Sequence, residues 1–143
     1  MSLDFRHSVE IDRPADEVFA YVADFANNPR WQGGMQSCRW TSDETAAVGA
    51  TYVQEAKFLG RRIETHFRVT EYEPGRRVSI ESTVSTFPIQ VTRTVEPLSA
   101  TRCRVTAHVR GQPTGVLALM SGLVKRSIRA DYHRLQAELE SGR

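Results

Sequence analysis

No stretch of the chain approaches the roughly 18 consecutive apolar residues that a membrane-spanning helix requires. The opening MSLDFRHSVEIDRPADEV carries charges where a secretory signal needs an apolar core, so a cytoplasmic protein without integral membrane contact is expected. Cysteine is scarce. Cys38 and Cys103 form no CxxC pair and have no histidine at ligand spacing, which implies neither a disulfide scaffold nor a zinc site. Both are expected as reduced thiols, with Cys103 packed in a strand. An excess of one charge is missing as well: 19 Lys and Arg against 17 Asp and Glu leave a net charge of +2, too mild to indicate a nucleic-acid partner. Phosphate-binding loop, dinucleotide fingerprint and GxSxG elbow are all absent. The four histidines, His7, His66, His108 and His133, show no spacing for a metal site or a nucleophile dyad. No metal and no cofactor is expected, and no catalytic residue is assigned.

The 143 residues, 40% hydrophobic and 25% charged, suit one domain around one core, spanning residues 1–143. Residues 3 to 11 alternate, with Leu3, Phe5, Val9 and Ile11 on one side, as in a half-buried strand. Pro14, followed by Asp16 and Glu17, opens a helix, and Val18, Val22 and Phe25 share one face. Residues 14 to 28 therefore read as one helix or two short ones broken near Asp24. From residue 37, β-rich segments are punctuated at Gly49, Gly60, EPGR and EPLSA, the pattern of an antiparallel meander. After Gly111 the period changes. Leu117, Met120, Val124, Ile128, Tyr132, Leu135 and Leu139 step by three or four, predicting one helix of about 27 residues and roughly 40 Å, opened by Pro113 and closed by Gly142. An α+β fold follows, because a sheet with one apolar face and a helix with one apolar stripe bury each other.

The segments SVEIDRPADEVFAYVADFANNPRWQGGM (8–35) and VGATYVQEAKFLGRRIETHFRVTEYEPGRRVSIES (48–82), with the closing amphipathic helix, resemble the SRPBCC superfamily, the START-like and Bet v 1-like helix-grip fold, in its polyketide cyclase/dehydrase and lipid-transport branch. The resemblance covers nearly the whole chain. It implies a curved antiparallel sheet of six to seven strands gripping a long C-terminal helix, with two short helices after the first strand. It also implies a cavity, open at one end, that in relatives holds small apolar or amphipathic molecules.

Candidate wall residues are polar or adaptable groups that strand parity places among apolar ones, since a ligand cavity needs hydrophobic walls with a few orienting groups. Thr65 falls between Ile63 and Phe67, Arg93 between Val91 and Val95, and Ser82 on the side of Ile80 and Val84. On the strand at 51–59, Tyr52, Gln54, Ala56 and Phe58 are preferred inward, because the other parity would turn Glu55 and Lys57 into an apolar interior. Ile89, Val91 and Val105 complete the sheet wall, while Leu117, Met120 and Val124 form the helix wall. For Arg93 the favoured reading is a position near the strand end, its head in solvent or paired with Glu71 or Glu96; the competing one is a receptor for a ligand carboxylate or enolate. Gly115, Ser121 and Gly122 are small residues in the helical stripe, which close approach to the sheet or room beside a ligand would explain. In VADFANNPRWQGGM, Trp31 either caps a closed core or leans over an open cavity as a gate.

The leading functional reading is binding or transport of a small hydrophobic or amphipathic ligand, by a monomer or homodimer. The first alternative is a cyclase/dehydratase-type enzyme using the same cavity. The second is a protein-interaction module using the basic residues Arg102, Arg104, His108 and Arg110 of the last strand, and Arg61, Arg62, Arg76 and Arg77 at turns.

Overall fold

The computed structural model describes residues 3–58 and 60–141, without the side chains of Phe58, Val116 and Leu117. Strand β1 (Leu3–Ile11) leads into helix α1 (Ala15–Val22) and a 3-10 turn at Phe25–Arg30; β2 (Met35–Trp40), β3 (Thr51–Phe58), β4 (Arg61–Glu73), β5 (Arg77–Val84), β6 (Ile89–Ser99) and β7 (Arg102–Gly111) follow. The seven strands form one antiparallel sheet in the order β1-β7-β6-β5-β4-β3-β2. The alternation read from the sequence sets the register: Ile11 faces Cys103, Val9 faces Val105 and Phe5 faces Val109 across β1 and β7, so one continuous apolar face results. Register shifts in β2, β4 and β6 mark bulges, which bend the sheet and increase its twist.

The C-terminal segment differs from the expected single helix. Gly115 takes a left-handed φ of 60°, a short α2 covers Val116–Leu119, and Met120 at φ −97° and ψ 10° separates it from α3 (Ser121–Glu140). The 20 residues of α3 span roughly 30 Å. Ser121 and Gly122 are poor helix formers directly after the break. A Cβ placed on Gly115 or Gly122 would meet nothing within 4 Å, so these glycines mark the break and its exposed first turn rather than a close approach to the sheet. Gly142 and the side chains of Phe58 and Leu117, given roles above, lie outside the described residues.

Helix α3 is held hardest at its C-terminal half. Tyr132, Leu135 and Leu139 are buried with Val9, Ile11 and the residues of α1, whereas Val124 and Ile128 are half-buried and Leu123 is exposed. Polar ties reinforce that end: Glu140 accepts the Asp12 N–H at 2.9 Å, Gln136 donates to the Glu10 carbonyl at 2.6 Å, and Asp131 accepts the Gly33 N–H at 2.9 Å. Among the described residues the N-terminal half has no such polar tie to the sheet, and space opens beside the contact of Val124 and Ile128 with Phe5 and Val109.

Most of the cations read as a basic surface are engaged. Arg102 pairs with Glu10 and Asp12, Arg104 with Glu10 and Glu96, and His108 with Asp4. Arg62, Arg76 and Arg77 pair with Glu55, Glu73 and Glu71. A run of cations in the sequence is thus a charge-balanced lattice in space, because β1 and β6 bring their carboxylates alongside β7. Both cysteines are free, and Cys103 is fully buried. Burial pushes Cys38 up to about 12 and Cys103 up to about 11, so both are thiols, not nucleophilic thiolates, at neutral pH. Among the described residues no helix is long and apolar enough to cross a membrane.

Gly34 sits at φ 78°, and a Cβ there would come within 2.6 Å of the Lys57 carbonyl oxygen. Gly34→Ala should therefore destabilise the fold by about 1–3 kcal/mol, read as a lower urea midpoint; an unchanged midpoint would refute the steric argument. His7 points inward from β1, its ring 5.4 Å from that of His133 on α3, with a buried Nε2 that has no hydrogen-bond partner. Burial, then the neighbouring His133 and Arg129, lower its pKa below 6.5. The folded state thus binds this proton less readily than the unfolded one. Its contribution is intact above pH 6.5 and lost as pH falls from there. Urea midpoints measured at pH 7.5 and pH 5 should fall more steeply in wild type than in His7→Leu; parallel slopes would show that His7 does not titrate in this window.

Candidate functional site

Between the inner sheet face and the N-terminal half of α3 lie two adjoining chambers of about 240 and about 210 Å³. They share Gln54, Phe67, Ile89, Val124 and Ile128 as walls, so they lie side by side under the same stretch of helix. The first is bounded by Ile63, Thr65 and the β5–β6 loop at Ser85, Thr86 and Phe87. The second runs inward to Tyr52, Val91, Arg93, Asp131 and Tyr132. Tyr52 is held by stacking between Phe25 at 4.7 Å and Phe67 at 5.2 Å, and Trp40 packs edge-on against it while donating to Asp24 at 2.9 Å. That aromatic layer makes a rigid wall.

The preferred parity of β3 is the observed one, with Tyr52 and Gln54 on the cavity side and Glu55 paired outside to Arg62. Thr65, Phe67, Ile89, Val91, Arg93 and Val124 also reach the chambers. Four other candidates do not. Trp31 is 1% exposed and packs edge-on against Tyr132 at 4.9 Å, behind Arg93; it caps a closed core, since the Gly33–Asp131 tie holds its loop down on α3. Val105 has the inward parity but lies in the fully packed half of the sheet. Ser82 turns away to accept the Ile89 N–H and the Ser85 hydroxyl, each at 3.0 Å, closing the β5–β6 turn. Met120 occupies the break before α3 and lines neither chamber.

Arg93 differs most from expectation. It is not at a strand end: it sits in mid-sheet, opposite Val78 on β5 and the small Ala107 on β7, and it is 3% exposed. The two carboxylates proposed for it are elsewhere, Glu71 with Ser79 and Arg77 and Glu96 with Arg104. Arg93 Nε donates to the Tyr132 hydroxyl at 3.2 Å; Nη1 donates to the Val22 carbonyl at 2.8 Å and to Asn28 Oδ1 at 3.1 Å. The guanidinium carbon stands 4.6 Å from the Phe25 ring centre and 4.8 Å from that of Trp31, a favourable placement for a cation in a dry site. Asp131 is the carboxylate of this region. Burial raises its pKa, opposed by the Gly33 N–H and by Arg134, whose Nη2 donates to it at 3.0 Å.

Asn28, Gln32, Ile63, Phe87, Ile128, Asp131 and Tyr132 also line the space. Ile128 and Tyr132 belong to the apolar stripe read from the sequence and could have been taken from it. Asp131 is one step off that stripe, and Asn28 and Phe87 lie in turns, where periodicity carries no signal. The arrangement offers apolar walls, an amide and hydroxyls along its length, and a guanidinium at its inner end. Among the described residues no group of three or more His, Cys, Asp or Glu side chains could hold a metal ion.

The family model described as polyketide cyclase / dehydrase and lipid transport matches residues 2–140. The fold is similar to that of the Zhui aromatase/cyclase from Streptomyces sp. R1128, at TM-score 0.81 and 14% identity over 98% of this chain and 94% of that one. The di-domain ARO/CYC BexL from the BE-7585A biosynthetic pathway is similar at TM-score 0.78 and 26% identity, over 96% of this chain. This chain spans 46% of that protein's length. A START superfamily protein from Mycobacterium smegmatis matches at TM-score 0.74 and 14% identity, over 96% of this chain and 94% of its own. No curated protein matches the chain.

Tyr132→Phe removes the acceptor for Arg93 Nε and strands a donor on a charged group. The loss should be about 1–3 kcal/mol, measured by urea unfolding; a neutral result would mean that the Tyr132 hydroxyl does not carry this bond.

Proposed function

Because the chain belongs to the polyketide cyclase / dehydrase and lipid transport family, we propose that it binds a small amphipathic molecule between the sheet and α3. The carrying observation is the pair of adjoining chambers, about 240 and about 210 Å³, whose combined volume falls in the range of small-molecule sites. Protein interiors are normally close-packed, and unfilled volume forfeits stability. A space retained under the loosely held half of a helix is consistent with use by a ligand. Gln54, Thr65 and Tyr52 are the polar groups along the walls that would orient it, with Phe67, Ile89, Val91 and Val124 supplying apolar contact.

A second reading is a cyclase/dehydratase-type reaction in the same space. It is favoured by the Arg93–Tyr132 hydrogen bond at the inner end, a pair able to polarise a substrate carbonyl, and by the likeness to proteins named as aromatase/cyclases. There the walls would act mainly by holding a flexible chain in a reactive conformation. The interaction-module reading loses its support because most of the cations on which it rested are paired on the protein's own surface.

N-phenyl-1-naphthylamine, a neutral apolar fluorophore, should bind saturably at one site with a blue-shifted, enhanced emission. Ile128→Trp, which adds bulk at the wall common to both chambers, should weaken binding at least about tenfold with the far-ultraviolet circular dichroism unchanged. Absence of saturable binding to the wild type would sink the cavity reading.

A further inference from the structure

We propose that the Arg93 end of the cavity is an oxyanion subsite, so that the molecule bound here carries a carboxylate or comparable single oxyanion at one end of an apolar body. The inference rests on the cavity reading above and adds the chemical class of the ligand. Arg93 is 3% exposed yet takes part in no ion pair among the described residues; its contacts are a carbonyl, an amide oxygen and a phenol, all neutral, and two aromatic rings. Such contacts hold a guanidinium in place without cancelling its charge. A buried cation lacking a counterion is expensive unless a negative group completes it.

The neighbours do not provide one. Burial keeps the Tyr52 phenol well above its ordinary range and the Cys38 thiol at about 12, so both stay protonated despite the nearby guanidinium. Asp131 spends its Oδ1 on the Gly33 N–H and on Arg134. Asp24, the other carboxylate nearby, is exposed and spends its Oδ1 on the Ala26 N–H and the Trp40 indole N–H, so neither carboxylate pairs with Arg93.

The geometry also leaves a place for the anion. Arg93 Nη2 donates to nothing among the described residues. The side-chain atoms that are both buried and unpaired there are His7 Nε2 and Trp31 Nε1; Nη2 is not among them, so it keeps contact with open volume, and Arg93 lines the second chamber. A ligand entering past Phe87 and Ile63 with its apolar body against Phe67, Ile89 and Ile128 would bring its far end to this free donor. Charge-assisted hydrogen bonds of this kind are about twice as strong as neutral ones.

Calorimetric titration of the full chain with 2-naphthoate and with 2-naphthylmethanol, at pH 7.5 and fixed salt, tests this. The carboxylate should bind about tenfold or more tightly than the alcohol, each should displace the other, and in Arg93→Met the two should bind alike at about the alcohol's affinity. Equal affinities in the wild type would overturn the subsite and leave the cavity reading standing. A preference that survives in Arg93→Met would also overturn it, by placing the anion elsewhere. Failure of both compounds overturns the subsite, and the cavity reading falls with it only if N-phenyl-1-naphthylamine also fails. Should Arg93→Met not fold, the Arg93 Nε–Hε resonance of the wild type decides: it should shift with naphthoate and much less with the alcohol, and equal or absent shifts refute the proposal.

Discussion

A guanidinium in the middle of an apolar sheet face is the constraint around which the inner half of this molecule is arranged. Arg93 on β6 reaches the last carbonyl of α1 at Val22, the 3-10 turn at Asn28 and α3 at Tyr132. One side chain therefore ties the sheet to all three elements that cover it. The cation cannot be neutralised by losing a proton, so every element around it must supply an acceptor or an aromatic face. Phe25 and Trp31 supply the faces. This explains a large aromatic in a turn-rich segment: Trp31 closes the dry side of a charged site, and Gly33 lets its loop lie flat on Asp131. A Cβ on Gly33 would approach Arg134 Nη2 to 2.9 Å.

Opposite ends of α3 have different jobs. Its C-terminal half is bound to β1 and α1 by Leu135, Leu139 and several polar ties. Its N-terminal half carries Val124 and Ile128 over open space and begins at a backbone break. Beneath that half the two layers meet where Val124 and Ile128 pack against Leu3, Phe5 and Val109, and the chambers open beside this contact. Cavity and core are thus consecutive segments of one interface, distinguished by how closely the helix follows the sheet.

Parity along strands was legible because a strand has a two-residue period and this sheet has one wet face. Tyr52, Gln54, Thr65, Phe67 and Arg93 were all placed on the inner side correctly from alternation. What surrounds each of them was not legible. Of the carboxylates expected to pair with Arg93, Glu96 is an odd number of residues away on the same strand and faces outward to Arg104, while Glu71 is held by Arg77 and Ser79. Val105 has the right parity and the wrong depth, and Ser82 spends its hydroxyl on the β5–β6 turn, since parity says which face a residue takes and nothing of how far along the sheet the packing is closed or what the side chain bonds. The apparent basic stripe failed for a related reason: its counterions come from β1 and β6, far away in sequence for β1 and adjacent only through the sheet.

The sequence by itself determined the class of fold, the order of elements and the apolar face of each, because these follow from local periodicity and turn chemistry. Tertiary structure alone decided that the C-terminal helix breaks at Met120, that Trp31 is a core residue, that most of the cations outside are paired, and that the arginine inside has no anionic partner among the described residues. Those outcomes depend on which residues meet across strands and layers, and contacts of that kind are set by the curvature of the sheet and the seating of the helix, neither of which leaves a period in the chain.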